Sequence, residues 1–149
     1  MAKFRYSLQN ILDIKLKMET QAKQEFAAAA AALSAEEEKL DLLKLKKESL
    51  ENKAATLLTG PLNFRDIDDN SLERTQTDQA IADQKKQIKK AQAVLETCRK
   101  KMEEAMTERK TYEKLRERAF EEYMLEEKRA ESKAIDELTS YTYGQKAKG

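Results

Sequence analysis

Side chains able to do chemistry are few in this 149-residue chain, and they form no reactive pattern. Histidine is absent, which removes the commonest general base and metal ligand. Cys98 is the only cysteine, so it forms no internal disulfide and belongs to no Cys/His metal cluster. It reads as a small apolar residue of a helix seam. No glycine-rich phosphate loop is present. Carboxylates are plentiful, with 28 Asp and Glu against 29 Lys and Arg. In Glu/Lys-rich stretches, however, acids fall near one another everywhere, and such pairs carry no specificity. Glu36–Glu38 read as a solvated face, and Met102, Met106 and Met124 as seam filler. The chain therefore has no assigned catalytic, cofactor-binding or metal-binding residue, and it reads as a non-enzyme.

Composition points to a different use. Charged residues make up 38% of the chain and aromatics 6%, with no tryptophan. That is too little apolar material for a layered core but enough for a narrow helix seam, the signature of a coiled coil. Net charge is +1, so no global field favours nucleic acid or an anionic membrane. Locally, residues 85–101 hold seven bases and one acid, Glu96, whereas residues 102–127 hold nine acids and five bases. Without interleaved aromatics or a known nucleic-acid motif, the basic block reads as a solvated face. Asp13, Lys15 and Lys17 interrupt any apolar signal-peptide core, and no stretch approaches the roughly 20 apolar residues of a membrane span. The expected location is the cytoplasm.

Two helices position these residues, and one break separates them. The segment 59–70 holds the only proline, Pro61, preceded by Gly60, and this pair is a strong stop signal. A helix is expected over about 7–58 with Ser7 as N-cap, and a second over about 71–141 with Asn70 as N-cap and Glu73 as its capping-box partner. A tail at 144–149 is expected to be disordered. In the first helix the seam positions are Leu8, Leu12, Lys15, Glu19, Ala22, Phe26, Ala29, Leu33, Glu36, Leu40, Leu43, Lys47, Leu50, Ala54 and Leu57. In the second they are Ile81, Gln84, Ile88, Ala91, Leu95, Cys98, Met102, Ala105, Arg109, Tyr112, Arg116, Ala119, Tyr123, Glu126 and Ala130. Eleven of fifteen are apolar in each set. A seven-residue repeat held this long implies a left-handed supercoil. The fold class is all-α, a long antiparallel two-helix coiled-coil hairpin in a single domain spanning 1–149.

Pairing positions whose numbers sum to 131 sets Leu50 against Ile81 and Leu43 against Ile88, and then Leu40 against Ala91, Leu33 against Cys98, Ala29 against Met102 and Phe26 against Ala105, so large residues repeatedly meet small ones. The mirror point, 65.5, falls inside the break. Two positions fit badly: Lys47 meets Gln84, and Lys15 meets Arg116 with like charge. In this register the first helix ends opposite residue 124. The second runs on for roughly 25 Å and carries Leu125, Ala130, Ile135, Leu138 and Tyr141 without a partner. A lone helix of that length is marginal in water, so the overhang is either frayed or completed by another protein. Phe4, Tyr6, Phe120, Met124 and Leu125 cluster at the same end, and Phe64 and Ile67 lie in the connection.

The chain resembles the FliJ family of the flagellar type III export apparatus. The resemblance lies in the opening Lys3-Phe4-Arg5-Tyr6-Ser7-Leu8-Gln9-Asn10-Ile11-Leu12-Asp13-Ile14-Lys15, in Tyr112-Glu113-Lys114-Leu115-Arg116-Glu117 followed by Glu126-Glu127-Lys128, and in Asp136-Glu137. Virulence-type secretion relatives share the same shape. The resemblance implies a stalk-like hairpin, similar to the central stalk subunit of rotary ATPases, that binds and activates a hexameric export ATPase. It also implies links to the membrane export gate and to export chaperones, with peripheral association at the inner face of the cell membrane. Carried onto this sequence, the ATPase-facing end comprises Phe4, Tyr6, Leu8, Tyr112, Arg116, Phe120, Leu125, Ile135, Asp136, Glu137 and Leu138. The gate-facing end comprises Phe64, Ile67, Leu72, Ala80 and Gln84. No cofactor, nucleic acid or small-molecule substrate is expected, and the free protein is expected to be an elongated monomer. The competing readings are a self-associating structural or chaperone-like rod and a nucleic-acid-binding helix pair.

Overall fold

The computed structural model describes the backbone of residues 3–148 and the side chains of residues 3–145. Two helices account for the fold, α1 (Gln9–Leu57) and α2 (Phe64–Lys148), joined as an antiparallel hairpin, with no strand among the described residues.

The stop between them is built as the Gly-Pro pair requires. After Leu57 the turn tightens, with Leu58 N donating to Ala55 O and Thr59 N to Thr56 O at 3.0 Å. Gly60 then takes φ +80°, a conformation that costs a side-chain-bearing residue but not glycine. Pro61 has no donor with which to continue a helix. The new helix begins at Phe64, not near residue 71. Its cap is Asn63, whose side-chain oxygen accepts from Arg65 N at 3.1 Å and Asp66 N at 3.3 Å. Asp66 in the first turn complements the positive helix terminus. Asn70, expected as the cap, is instead an interior helical residue and is buried. The connection therefore covers residues 58–63 rather than 59–70.

The other ends differ from expectation as well. Ser7 lies in a turn closed by Gln9 N donating to Tyr6 O at 3.0 Å, and α1 starts at Gln9. Helix α2 does not stop at Gly144 but runs to Lys148, and Gly149 lies outside the described residues. One glycine costs a helix about 1 kcal/mol relative to alanine, and ending it cleanly takes a left-handed cap or a proline, neither of which follows here. Gln145 also donates to the Tyr141 hydroxyl at 2.6 Å, one turn back.

The hairpin divides into two compact units, one formed by residues 21–103 and one by the residues up to 20 with those from 104 onward. All fifteen seam positions expected on α1 are buried or half-buried, so the heptad reading holds there. On α2 the stripe also holds, except at Arg116, Glu126 and Ala130, which are exposed. It extends back through Thr77, Arg74 and Asn70 to Ile67, because the helix begins earlier than expected.

The register differs from the one inferred by matching large with small residues. In the unit of residues 21–103, Gln84 donates to Glu36 O at 2.9 Å and to its carboxylate at 2.5 Å, and so lies eleven residues away from Lys47, its expected partner. Lys47 pairs with Asp78 at 3.0 Å. Asn70 Nδ2 donates to Leu50 O at 3.1 Å, where Ile81 was expected. In the other unit, Lys15 pairs with Glu108 at 2.8 Å rather than meeting Arg116. Both misfits of the 131 register are thereby removed. Polar residues on a seam are costly when unpaired, so they decide register more sharply than aliphatic residues that fit several partners. The shorter connection moves the mirror point back to the Gly60-Pro61 step.

Candidate partner-binding surfaces

The end built from both termini is held by aromatic and ionic contacts. Phe4 precedes α1, and its ring meets Phe120 edge-on, with centroids 5.2 Å apart and planes at 79°. It also meets Tyr123 at 5.5 Å. Edge-to-face pairs add about 0.5–1.5 kcal/mol beyond the area they bury. The Arg116 guanidinium lies 5.9 Å from the centre of the Phe4 ring, and its Nε donates to Gln9 at 3.0 Å. The Tyr6 hydroxyl donates to the Tyr112 carbonyl at 3.5 Å, and Lys15 Nζ lies 5.9 Å from the centre of the Tyr112 ring. Burial, reinforced by Glu127, pushes the Tyr123 phenol above its ordinary value.

Next inward, Leu12 and Glu19 are buried. Arg109 clamps Glu19 through Nε at 2.5 Å and Nη2 at 3.2 Å, and its Nη1 reaches Glu113 at 2.9 Å. The guanidinium is held more basic than usual by hydrogen bonds to Glu19 and then to Glu113. Glu108 likewise raises the Lys15 ammonium.

The structure brings together Phe4, Tyr6, Tyr112, Arg116 and Phe120, with Leu8 half-buried among the seam positions. It leaves Leu125, Ile135, Asp136, Glu137 and Leu138 exposed. Every described side chain from Lys128 to Gln145 is exposed, including Ile135 at 62% and Leu138 at 66%. Phe120, Met124 and Leu125, each about half-exposed, line an open apolar depression with Tyr123.

At the connection end, Phe64 and Leu72 are exposed, at 73% and 58%, beside Leu58 and Leu62. Ile67 and Ala80 are half-buried in the seam. Gln84 is occupied by Glu36, whose carboxyl it holds below the usual range, aided by Lys39. This end thus offers Phe64 and Leu72 outward, while Gln84 is used internally.

Sequence reasoning missed the Glu19–Arg109 and Glu36–Gln84 pairs and the roles of Asn63 and Asn70. The signal for the first two was present, since each pair joins polar exceptions in otherwise apolar stripes.

Among the described residues, no helix is long and apolar enough to cross a membrane, and no group of three or more His, Cys, Asp or Glu residues could hold a metal ion. No curated protein matches the chain in sequence. A solved structure described as that of a YscO homolog from Chlamydia trachomatis is similar, with a TM-score of 0.79, 19% identity and coverage of 99% of each chain; at that identity the likeness concerns the fold. The family model described as flagellar FliJ protein matches residues 4–148. With the match running from Phe4 through the overhang of α2, the chain belongs to the FliJ family of type III export apparatus components.

Proposed function

We propose that this chain is a stalk-like coupler, binding and activating a hexameric export ATPase through the end that carries both termini. One observation carries the reading: α2 outruns its intramolecular partner. From Lys128 to Gln145 it exposes Ile135, Leu138, Tyr141 and Tyr143 with nothing from α1 to cover them. A helix in that state gains order and buried apolar area when a partner surrounds it. The aromatic cluster of Phe4, Phe120 and Tyr123 lies at the root of the overhang and holds the chain start against α2. Lys128, Arg129 and Lys133 are interspersed there with Glu131, Asp136 and Glu137, a mixture of charge that suits a polar axial contact. Activation requires the contacts to differ between states of the ring, since equal binding shifts no equilibrium.

The connection end, with Phe64 and Leu72 exposed, is the surface for the membrane export gate, and the flanks serve export chaperones. The protein then works in the cytoplasm, peripherally at the inner face of the membrane, with no active site of its own. Co-sedimentation of the cognate ATPase ring with the full chain tests the binding. Retention by the full chain and loss with Ile135→Ser/Leu138→Ser is expected. Equal retention of both contradicts the assignment.

A further inference from the structure

We propose that the outward face of α2 between Lys85 and Lys101 is an electrostatic docking strip for an anionic lipid bilayer. The strip consists of Lys85, Lys86, Lys89, Lys90, Lys100 and Lys101, all exposed. At about 100° per residue these six project on average directly away from the seam residues Ile88, Ala91, Leu95 and Cys98, which are half-buried. They form two groups on the outer side of the helix, Lys85–Lys90 and Lys100–Lys101, with Ala93, Glu96 and Thr97 between them.

That face is not neutralised from within. None of the six lysines enters an ion pair among the described residues, whereas Lys15, Lys39, Lys47, Arg99 and Arg109 do. The single acid inside the strip, Glu96, is held by Arg99, which also holds Glu103. Lys100 senses Glu96 only through space. With Gln84 fixed against Glu36, the uncharged Ala27–Ala32 run of α1 lies opposite the middle of the stretch; Glu36–Glu38 adjoin only its Lys85 end and form no ion pair with the six lysines.

The form of the strip selects its partner. It is the convex outer side of a helix and extends over roughly 24 Å, so it offers no enclosure to a small anion. Its charges are ammonium point charges, while the one guanidinium, Arg99, is consumed internally. No aromatic is interleaved for base stacking. Clusters of four to eight lysines on a helix suit the diffuse negative potential of an acidic bilayer, each contributing roughly fivefold to partitioning. Val94, 56% exposed, is the one large apolar residue exposed within the stretch, so the strip rests on headgroups and does not insert. The inference is independent of ATPase binding, which uses other residues.

Sedimentation of the full chain with lipid vesicles tests it. Vesicles of phosphatidylcholine alone are compared with vesicles containing about 30% phosphatidylglycerol, at about 50 and about 300 mM salt. Binding to the anionic vesicles only, lost at the higher salt, is expected. The variant K85Q/K86Q/K89Q/K90Q should weaken binding by roughly several hundredfold. K44Q/K46Q/K53Q, on α1, should weaken it far less, and circular dichroism should show both variants equally helical. Absence of binding to anionic vesicles, or equal losses in the two variants, overturns the proposal. So does strip-dependent binding to duplex DNA without vesicle binding, which would identify a nucleic-acid surface.

Discussion

Arg109 of α2 grips Glu19 of α1 through two hydrogen bonds, at 2.5 and 3.2 Å, and the Glu19 side chain is only 7% exposed. Both residues stand at seam positions where the heptad pattern calls for an apolar side chain. A buried carboxylate left alone is strongly unfavourable, so this pair penalises every register that separates its members. Charge reversal at one member, Glu19→Arg or Arg109→Glu, should lower the unfolding midpoint more than truncation of the exposed Lys44. The double swap should recover much of the loss. Denaturant titrations in a double-mutant cycle measure the coupling, and additive losses would show that the pair does not act as a unit.

Register itself can be read by crosslinking. In a Cys98→Ser background, Glu36→Cys with Gln84→Cys should oxidise readily, whereas Lys47→Cys with Gln84→Cys should not. The first pair follows the contact between Gln84 and Glu36, and the second follows the large-to-small matching of the seam. Faster bridging of the second pair would contradict the register described here.

The contrast between those two registers marks how far the sequence could be read. Periodicity identified the seam: the fifteen positions expected on α1 are all shielded, and the Gly60-Pro61 stop lies where composition put it. Periodicity says which face of a helix is buried but not which residue it meets. A slip of one heptad leaves every apolar residue on the seam, so aliphatic periodicity does not tell such registers apart. The polar contacts, Glu36 with Gln84 and Lys47 with Asp78, resolve the choice. Asn70 was mistaken for a cap because both Asn63 and Asn70 have cap chemistry. The difference lies in the buried carbonyl of Leu50, which exists only once the helices have paired. Of the candidate end, the aromatic cluster was legible from where Phe4 and Phe120 stand in the chain. The internal engagement of Gln84 was not.

The two asparagines should respond differently to substitution. Asn63→Ala removes a cap and should cost about 1 kcal/mol, with faster amide exchange confined to the first turn of α2. Asn70→Ala leaves the Leu50 carbonyl and Arg74 without their partner in a buried site and should cost about 1–3 kcal/mol, with exchange accelerated in both helices. Chemical denaturation combined with amide exchange checks both expectations.

Acid should weaken the unit of residues 21–103 in part through Glu36. Hydrogen bonding from Gln84 depresses its carboxyl below the ordinary 4.5. On acidification the unfolded chain therefore takes up this proton first. The stabilisation is fully present above the unfolded value and fades as pH falls through the lower folded value. Gln84→Leu should flatten the part of the stability profile that falls away below the ordinary value of 4.5. An unchanged profile would show that the contact does not persist in solution.

The overhang should behave as a locally unfolding segment in the free protein. Amide protection is expected to fall sharply beyond Glu127, the last half-buried residue of α2, while the seam residues near Leu12 and Ala105 stay protected. Hydrogen exchange followed by mass spectrometry reads this directly. Uniform protection along α2 would mean that the segment is stabilised without a partner.

Turnover of the cognate export ATPase tests the central claim most directly, measured with the full chain and with a chain ending at Glu127. The full chain should raise the hydrolysis rate, and the shortened chain, its paired helices intact by circular dichroism, should not. Full activation by the shortened chain would contradict the account.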